Sequence, residues 1–126
     1  MLEQSDVLIL TKPFVRADHE FVRGFVYLSE DAITTRIEEV DPSWSFSVNR
    51  IEHLDGNAVC HATLIIKGVA RDGIGMQVIL EKAGEPSKGA ATDALKRCAR
   101  LFGIGRYLLN APKENEFNKW LAELGK

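Results

Sequence analysis

Apolar and polar residues alternate with two different periods along this chain, and the changes of period mark its predicted elements. Leu2–Leu10 mixes apolar and acidic residues and predicts a short helix, which Pro13 stops. The aromatic and β-branched run Phe21–Leu28 predicts a strand, with a bulge or a close backbone approach at Gly24. The first part of the chain is therefore predicted to be a helix followed by a strand.

A second helix is predicted directly after this strand. Ser29 is a typical N-cap residue, and the anions that follow at Glu30 and Asp31 favour a helix N-terminus. Apolar residues then recur at helical spacing, at Ile33, Ile37 and Val40. Asp41-Pro42 ends this helix because the residue before a proline is pushed out of α geometry.

Three consecutive strands are predicted in the middle of the chain, and they are Trp44–Leu54, Ala58–Ala70 and Gly75–Glu81. The first alternates strictly until the apolar phase slips at Arg50-Ile51, which predicts a bulge. Asp55-Gly56 and Asp72-Gly73 predict the two hairpin turns of an antiparallel meander. The second strand is apolar in both alternating sets, so it is predicted to be central or buried on both faces.

Ala90–Gly105 predicts an amphipathic helix with two unlike sides, capped at Ser87 and ended by glycine. The apolar side, which would cover the sheet, consists of Ala91, Leu95, Cys98 and Phe102. The opposite side carries Thr92, Asp93, Lys96, Arg97 and Arg100. Pro86–Arg106 holds five cations and one anion, although the whole chain has a net charge of −2. Positive charge is therefore concentrated on this helix, and the alternative interpretation is an ordinary solvated face.

Tyr107–Leu109 predicts a short last strand or an ordered tail segment. Glu116–Leu124 then predicts a terminal amphipathic helix with one apolar stripe. Either a subunit contact or docking within the chain would bury that stripe, and the sequence does not choose between them.

The composition is that of one globular domain, with 126 residues, 45% hydrophobic and 27% charged. We predict a single domain over residues 1–126, with a core at about 21–109 and a C-terminal helix at about 116–124. No apolar run is long enough to span a bilayer, and the acidic residues near the start do not fit a secretory signal. A cytoplasmic protein without a membrane partner is expected.

Several kinds of chemistry find little support in the sequence. Gly84–Gly89 precedes a helix, but Lys88 stands before the second glycine instead of after it, so the phosphate-loop pattern fails. Cys60 and Cys98 lack partners at metal-ligand spacing. The densest acidic group, at a predicted helix end, is Glu38, Glu39 and Asp41. We expect no enzyme, cofactor or metal site, and a metal-dependent nuclease ranks third among the hypotheses.

The basic side of the predicted helix can bind nucleic acid, because Lys and Arg neutralise phosphates and release counterions without reading sequence. Arg97 and Arg100 can grip phosphate in a bidentate manner. Trp44, Phe46 and Tyr107 are more simply core or edge residues. No base-stacking platform is therefore predicted.

One motif adds a family resemblance. The run T-D-A-L-K-R-C-A-R-L-F-G-I-G-R-Y-L, preceded by a W-S-F strand and two D-G pairs, resembles the Rad52 superfamily of single-strand annealing proteins. The likeness is greatest to the branch of bacterial DNA-damage-response protein A and phage annealing proteins, and it covers roughly residues 10–109. It implies an α+β fold in which a three-stranded antiparallel meander (a β-β-β-α core) is covered by the basic helix, with an additional N-terminal strand and helix.

The resemblance also implies a function in recombination or DNA repair. Members of this family anneal complementary single strands without ATP, as homo-oligomeric rings or arcs that hold single-stranded DNA in a basic groove. A single-strand-binding protein or a recombinase is a further candidate partner. By matching position, the backbone-binding cations would be Lys96, Arg97 and Arg100. The full set of candidate DNA-binding residues is Lys88, Lys96, Arg97, Arg100, Arg106 and Arg36.

The chain departs from the family pattern at one point. Related sequences commonly carry an arginine soon after Y-[LI], and the matching position here is Asp31, which Arg36 would partly replace. Together with the acidic remainder of the chain, this departure keeps an alternative open. In that alternative the protein is a scaffold on the same fold that recruits partners but does not anneal.

Overall fold

The computed structural model describes residues 1–80 and 85–125 of the chain. The fold is α+β, as predicted, with a small hairpin and a three-stranded antiparallel sheet. Its helices and strands are α1 Gln4–Thr11, β1 His19–Val22, β2 Phe25–Leu28, α2 Glu30–Val40, β3 Ser45–Leu54, β4 Asn57–Ile66, β5 Val69–Val78, α3 Pro86–Leu101 and α4 Glu114–Leu124. Two short 3₁₀ helices span Arg16–Asp18 and Arg106–Asn110.

The predicted single strand at 21–28 is wrong, because the chain turns back in its middle. Arg23 and Gly24 both have positive φ, 53° and 83°, and form a two-residue turn between β1 and β2. Arg23 makes this turn hard to predict from the sequence, because a non-glycine residue rarely adopts positive φ. The predicted helix that follows is confirmed: Ser29 Oγ accepts a hydrogen bond from the N–H of Ala32 at the start of α2.

The three-stranded sheet has the order β3-β4-β5, so the prediction of a meander with a central second strand is confirmed. The register shifts between Val48 and Arg50, one residue before the predicted bulge. The first turn lies at Asp55-Gly56 as predicted. The second prediction is wrong: the chain turns at Lys67-Gly68, and Asp72-Gly73 lies inside β5.

Tertiary partners stabilise the unexpected turn at Lys67, whose φ is +49°. Its N–H donates to Asp41 Oδ2 at 2.7 Å, and its ammonium group lies 3.1 Å from Asp6 Oδ1 on α1. The N–H of Glu3 and this ammonium group lower the pKa of the Asp6 carboxyl. The turn therefore depends on contacts from segments distant in sequence.

Helix α3 packs over β4 and β5, and two glycines of β5, Gly73 and Gly75, let it come close. A Cβ atom at Gly75 would lie 2.2 Å from the backbone nitrogen of Ala94 and 2.4 Å from the carbonyl oxygen of Ala90. A Cβ at Gly73 would lie 2.7 Å from Cys98 Sγ. These glycines serve helix packing, which is why a glycine that looked like a turn residue lies in a strand.

Helix α3 begins four residues earlier than predicted, with Pro86 in its first turn and Glu85 as its N-cap residue, so Ser87 lies inside the helix. Glu81, the end of the predicted strand Gly75–Glu81, falls outside the described residues. Of the predicted apolar side of α3, Leu95, Cys98 and Phe102 are buried and Ala91 is half-buried. Cys60 on β4 is buried as well. Burial raises the pKa of the Cys60 and Cys98 thiols.

The predicted terminal helix is confirmed as α4, and it docks within the chain. Phe117 is fully buried, with its ring 4.9 Å from that of His19 and 5.1 Å from that of Phe21. His19 Nε2 lies 2.6 Å from the hydroxyl of Tyr107, and that hydroxyl accepts a hydrogen bond from the N–H of Phe14. The residues around Tyr107 form a 3₁₀ helix instead of a strand.

Candidate nucleic-acid interface

The C-terminal half of α3 carries the predicted cations on the side away from the sheet. Lys96 is half-buried, whereas Arg97 and Arg100 are exposed. Arg100 lines two clefts, one on each flank of the helix. The three residues therefore form one continuous basic ridge, as the sequence predicted.

The first cleft, here called the hairpin cleft, lies between α3 and the β1–β2 hairpin and has a volume of about 100 Å³. Its floor is apolar and includes Leu28, Ile33 and Ile104. At its rim the ammonium group of Lys96 lies 5.9 Å from the centre of the Tyr27 ring, within the range of a cation–π contact. An aromatic ring thus lies beside the basic ridge.

The second cleft, here called the edge cleft, lies between α3 and β5 and has a volume of about 510 Å³. Its lining residues are Asp72, Gly73, Ile74, Arg97, Arg100 and Leu101. Arg97 Nε donates to Asp93 Oδ2 at 3.0 Å, and its side chain remains 63% exposed. Two cations therefore face solvent along this flank.

Of the other three candidates, Lys88 and Arg36 lie apart from the ridge, and Arg106 adjoins its C-terminal end. Lys88 is exposed in the first turn of α3, more than two turns before Lys96. Arg106 donates to the carbonyl oxygen of Arg100 and so caps the end of α3. Arg36 donates to two carbonyl oxygens at the end of α1 and stacks 3.8 Å from the centre of the Phe14 ring.

Asp31 also lies away from the hairpin cleft. It lines a separate depression with Asp18, Arg36 and Glu39. The anion at the expected arginine position therefore does not enter the basic ridge. Arg36 does not replace that arginine within the ridge either, because its guanidinium group is held by the backbone of α1.

The residue that sequence reasoning missed is Tyr27. It is 44% exposed and lies on the same side of β2 as Phe25, which is 67% exposed. Alternation along F-V-Y-L was the available signal, because it places both rings opposite the buried Leu28. The sequence analysis weighed Trp44, Phe46 and Tyr107 as stacking residues and did not consider Tyr27, which the structure places beside Lys96.

Metal sites and membrane-spanning helices are absent from residues 1–80 and 85–125. Within these ranges there is no group of three or more His, Cys, Asp or Glu side chains placed to hold a metal ion. None of the helices described there combines the length and the apolar character that a membrane crossing requires.

Comparison with known proteins agrees with the motif on α3. Residues 14–123 match the Rad52/22 family of double-strand break repair proteins. The chain belongs to this family. The match includes the hairpin, the sheet, α3 and most of α4. The family resemblance predicted from the T-D-A-L-K-R run is therefore confirmed.

Two bacterial relatives carry the name single-stranded DNA-binding protein DdrA. The chain is 39% identical over 84 residues to the protein from Deinococcus radiodurans, in an alignment that covers 66% of this chain and 39% of the relative. It is 40% identical over 87 residues to the protein from Deinococcus deserti, covering 65% of this chain and 40% of the relative. The chain therefore spans about two fifths of the length of these relatives.

Proposed function

We propose that this Rad52/22 family member binds single-stranded DNA along the basic ridge of α3 and anneals complementary strands during recombination or repair, without ATP. The observation that carries this proposal is the continuous ridge of Lys96, Arg97 and Arg100 with the Tyr27 ring at its rim. Cations that follow a backbone, together with an aromatic ring for stacking, are the combination typical of single-strand binding without sequence preference. The names of the DdrA relatives support the same ligand.

A homo-oligomeric ring or arc is part of the proposal. One chain offers only a few phosphate contacts, and binding through so few contacts is weak at physiological salt. Repetition of the ridge around an assembly would raise the effective affinity without new contacts. The face of the sheet opposite α3 supports such an assembly, because it exposes about half of the Ile74, Met76 and Val78 side chains in adjacent positions along β5.

The first experiment removes two cations of the ridge. The double variant Lys96→Ala with Arg97→Ala should lose single-strand binding and annealing while keeping its fold and oligomeric state. Fluorescence anisotropy with labelled oligo-dT over a range of salt concentrations measures binding. Each lost phosphate contact should lower the slope of log affinity against log salt by about 0.7, so two contacts lower it by about 1.4.

A matched control removes the same amount of positive charge at positions outside the ridge. Lys12→Ala with Lys119→Ala removes two exposed lysines from α1's end and α4, away from both clefts, and should leave affinity and slope nearly unchanged. Equal binding by the ridge variant and the wild type would contradict the site. Annealing is measured separately, by the pairing of two complementary labelled oligonucleotides without nucleotide. Binding without acceleration of pairing would favour the non-annealing scaffold.

A further inference from the structure

One anion lies about one helical turn before the basic ridge, on the same helix. Asp93 Oδ2 accepts a hydrogen bond from Arg97 Nε at 3.0 Å, and the same oxygen accepts one from the backbone N–H of Met76 at 2.9 Å. Met76 lies on β5, an outer strand of the sheet, and its N–H points to the helix instead of to β4. The carboxylate therefore joins the sheet edge to a cation of the proposed DNA site.

This arrangement differs from an ordinary surface ion pair. An exposed pair four residues apart on a helix is weak, because both side chains are mobile and water screens them. Here the acceptor is fixed by a strand amide, and its side chain is only 34% exposed. Gly75 precedes Met76 and Ala94 follows Asp93, and the backbones of Gly75 and Ala94 are in contact. The position of the carboxylate relative to β5 is therefore set by packing.

The hydrogen bond has a consequence for the guanidinium group of Arg97. Its five N–H donors lie in one rigid plane, so a bond at Nε limits the orientation of the whole group. The two terminal nitrogens remain available for a phosphate, and the side chain is 63% exposed. A donor that is already oriented loses less conformational freedom on binding than a mobile one.

We propose that Asp93 is a positioning residue for single-stranded DNA, which holds the guanidinium group of Arg97 toward the backbone phosphate. This inference rests on the proposed function of the ridge. The opposite effect of an anion is repulsion of the phosphate, or competition with it for Arg97. The two effects have opposite signs, since removal of Asp93 weakens binding in the first case and strengthens it in the second.

A double-mutant cycle tests the proposal with oligo-dT as the probe. Asp93→Ala should weaken binding roughly 2- to 10-fold in the wild-type background. In the Arg97→Ala background the same change should have no further effect, because the group that Asp93 orients is gone. An equal loss in both backgrounds would show a merely structural role and overturn the proposal, as would tighter binding by Asp93→Ala.

The conservative variant guards against a folding defect. Asp93→Asn keeps an oxygen that can accept from both Met76 and Arg97, so it should retain more binding than Asp93→Ala. Urea unfolding confirms that each variant is folded. The NMR signal of the Arg97 Nε proton gives a readout without DNA: it should be protected from exchange in the wild type and lose that protection in Asp93→Ala. An unprotected wild-type signal would overturn the positioning role alone, whereas absence of oligo-dT binding by the wild type would overturn the proposed function.

Discussion

The two faces of the three-stranded sheet differ in the size of their residues where α3 comes closest. There the covered face presents small residues to α3, and they are Ala58, Cys60, Ala62, Gly73 and Gly75. Nearer the turn at Lys67, the same face buries the larger Leu64 and Ile66. The open face presents larger apolar residues to solvent, and they include Leu54, Ile74, Met76 and Val78. In most sheets with one covered face the larger apolar residues lie inside and polar ones outside.

This difference separates two tasks. Small residues on the covered face allow backbone contact between α3 and β5, and so fix the height and register of the helix that carries the basic ridge. Large apolar residues on the open face remain in water within one chain, and adjacent exposed apolar residues are typical of a contact with another molecule. The covered face positions the proposed DNA site, and the open face is the proposed surface for assembly.

The largest expected effect comes from filling the covered face. Gly75→Ala places a methyl group 2.2 Å from a backbone nitrogen that cannot rotate away, so α3 must shift as a whole. We expect a loss of about 3 kcal/mol or more in the free energy of unfolding, at the upper end of the cost of overpacking a core. Urea denaturation measures it. Ala70→Val, which adds two carbons at an exposed position of the same strand, should change stability by less than about 0.5 kcal/mol.

A smaller effect on stability, but a large one on assembly, is expected from the open face. Met76→Glu places a charge on an apolar side chain that is 53% exposed, and should leave the unfolding free energy of one chain within about 1 kcal/mol. Sedimentation velocity should show smaller assemblies than for the wild type. Leu8→Glu, at a 65% exposed apolar position on α1, is the control and should leave assembly unchanged. Assemblies of wild-type size for Met76→Glu would contradict assembly through this face.

Local patterns predicted most of the architecture because the relevant signals lie within a few residues of one another. The cap at Ser29, the alternation in β3 and the apolar side of α3 are all of this kind. The turn at Lys67-Gly68 was missed because its partners come from α1 and the α2–β3 connection, and Asp72-Gly73 gave a stronger local signal. Gly73 is required by the packing of α3 on β5. The sequence alone does not distinguish a glycine needed for packing from one in a turn.

The candidate site was predicted in part for the same reason. Lys96, Arg97 and Arg100 share one helix, so their common direction follows from helical spacing. The approach of Tyr27 to Lys96 depends on how the β1–β2 hairpin packs beside α3, which no short-range pattern encodes. Arg36 was predicted to replace the expected arginine in part, but tertiary contacts place it on carbonyl groups at the end of α1.

The His19–Tyr107 contact makes the docking of α4 sensitive to acid, by a route that involves neither face of the sheet. Burial lowers the pKa of His19 below its usual 6.5, against the effect of hydrogen bonds to the Arg16 and Val15 carbonyl oxygens. As the pH falls below about 6.5, the unfolded chain binds a proton at His19 that the folded chain does not yet bind. The free energy of unfolding therefore declines below this pH and is constant above it.

The urea midpoint should be lower at pH 5.5 than at pH 7.5, and this decrease should be smaller in His19→Gln. An equal decrease in both proteins would contradict this role. Protonation of His19 is thus expected to weaken the contacts that dock α4 against the β1–β2 hairpin.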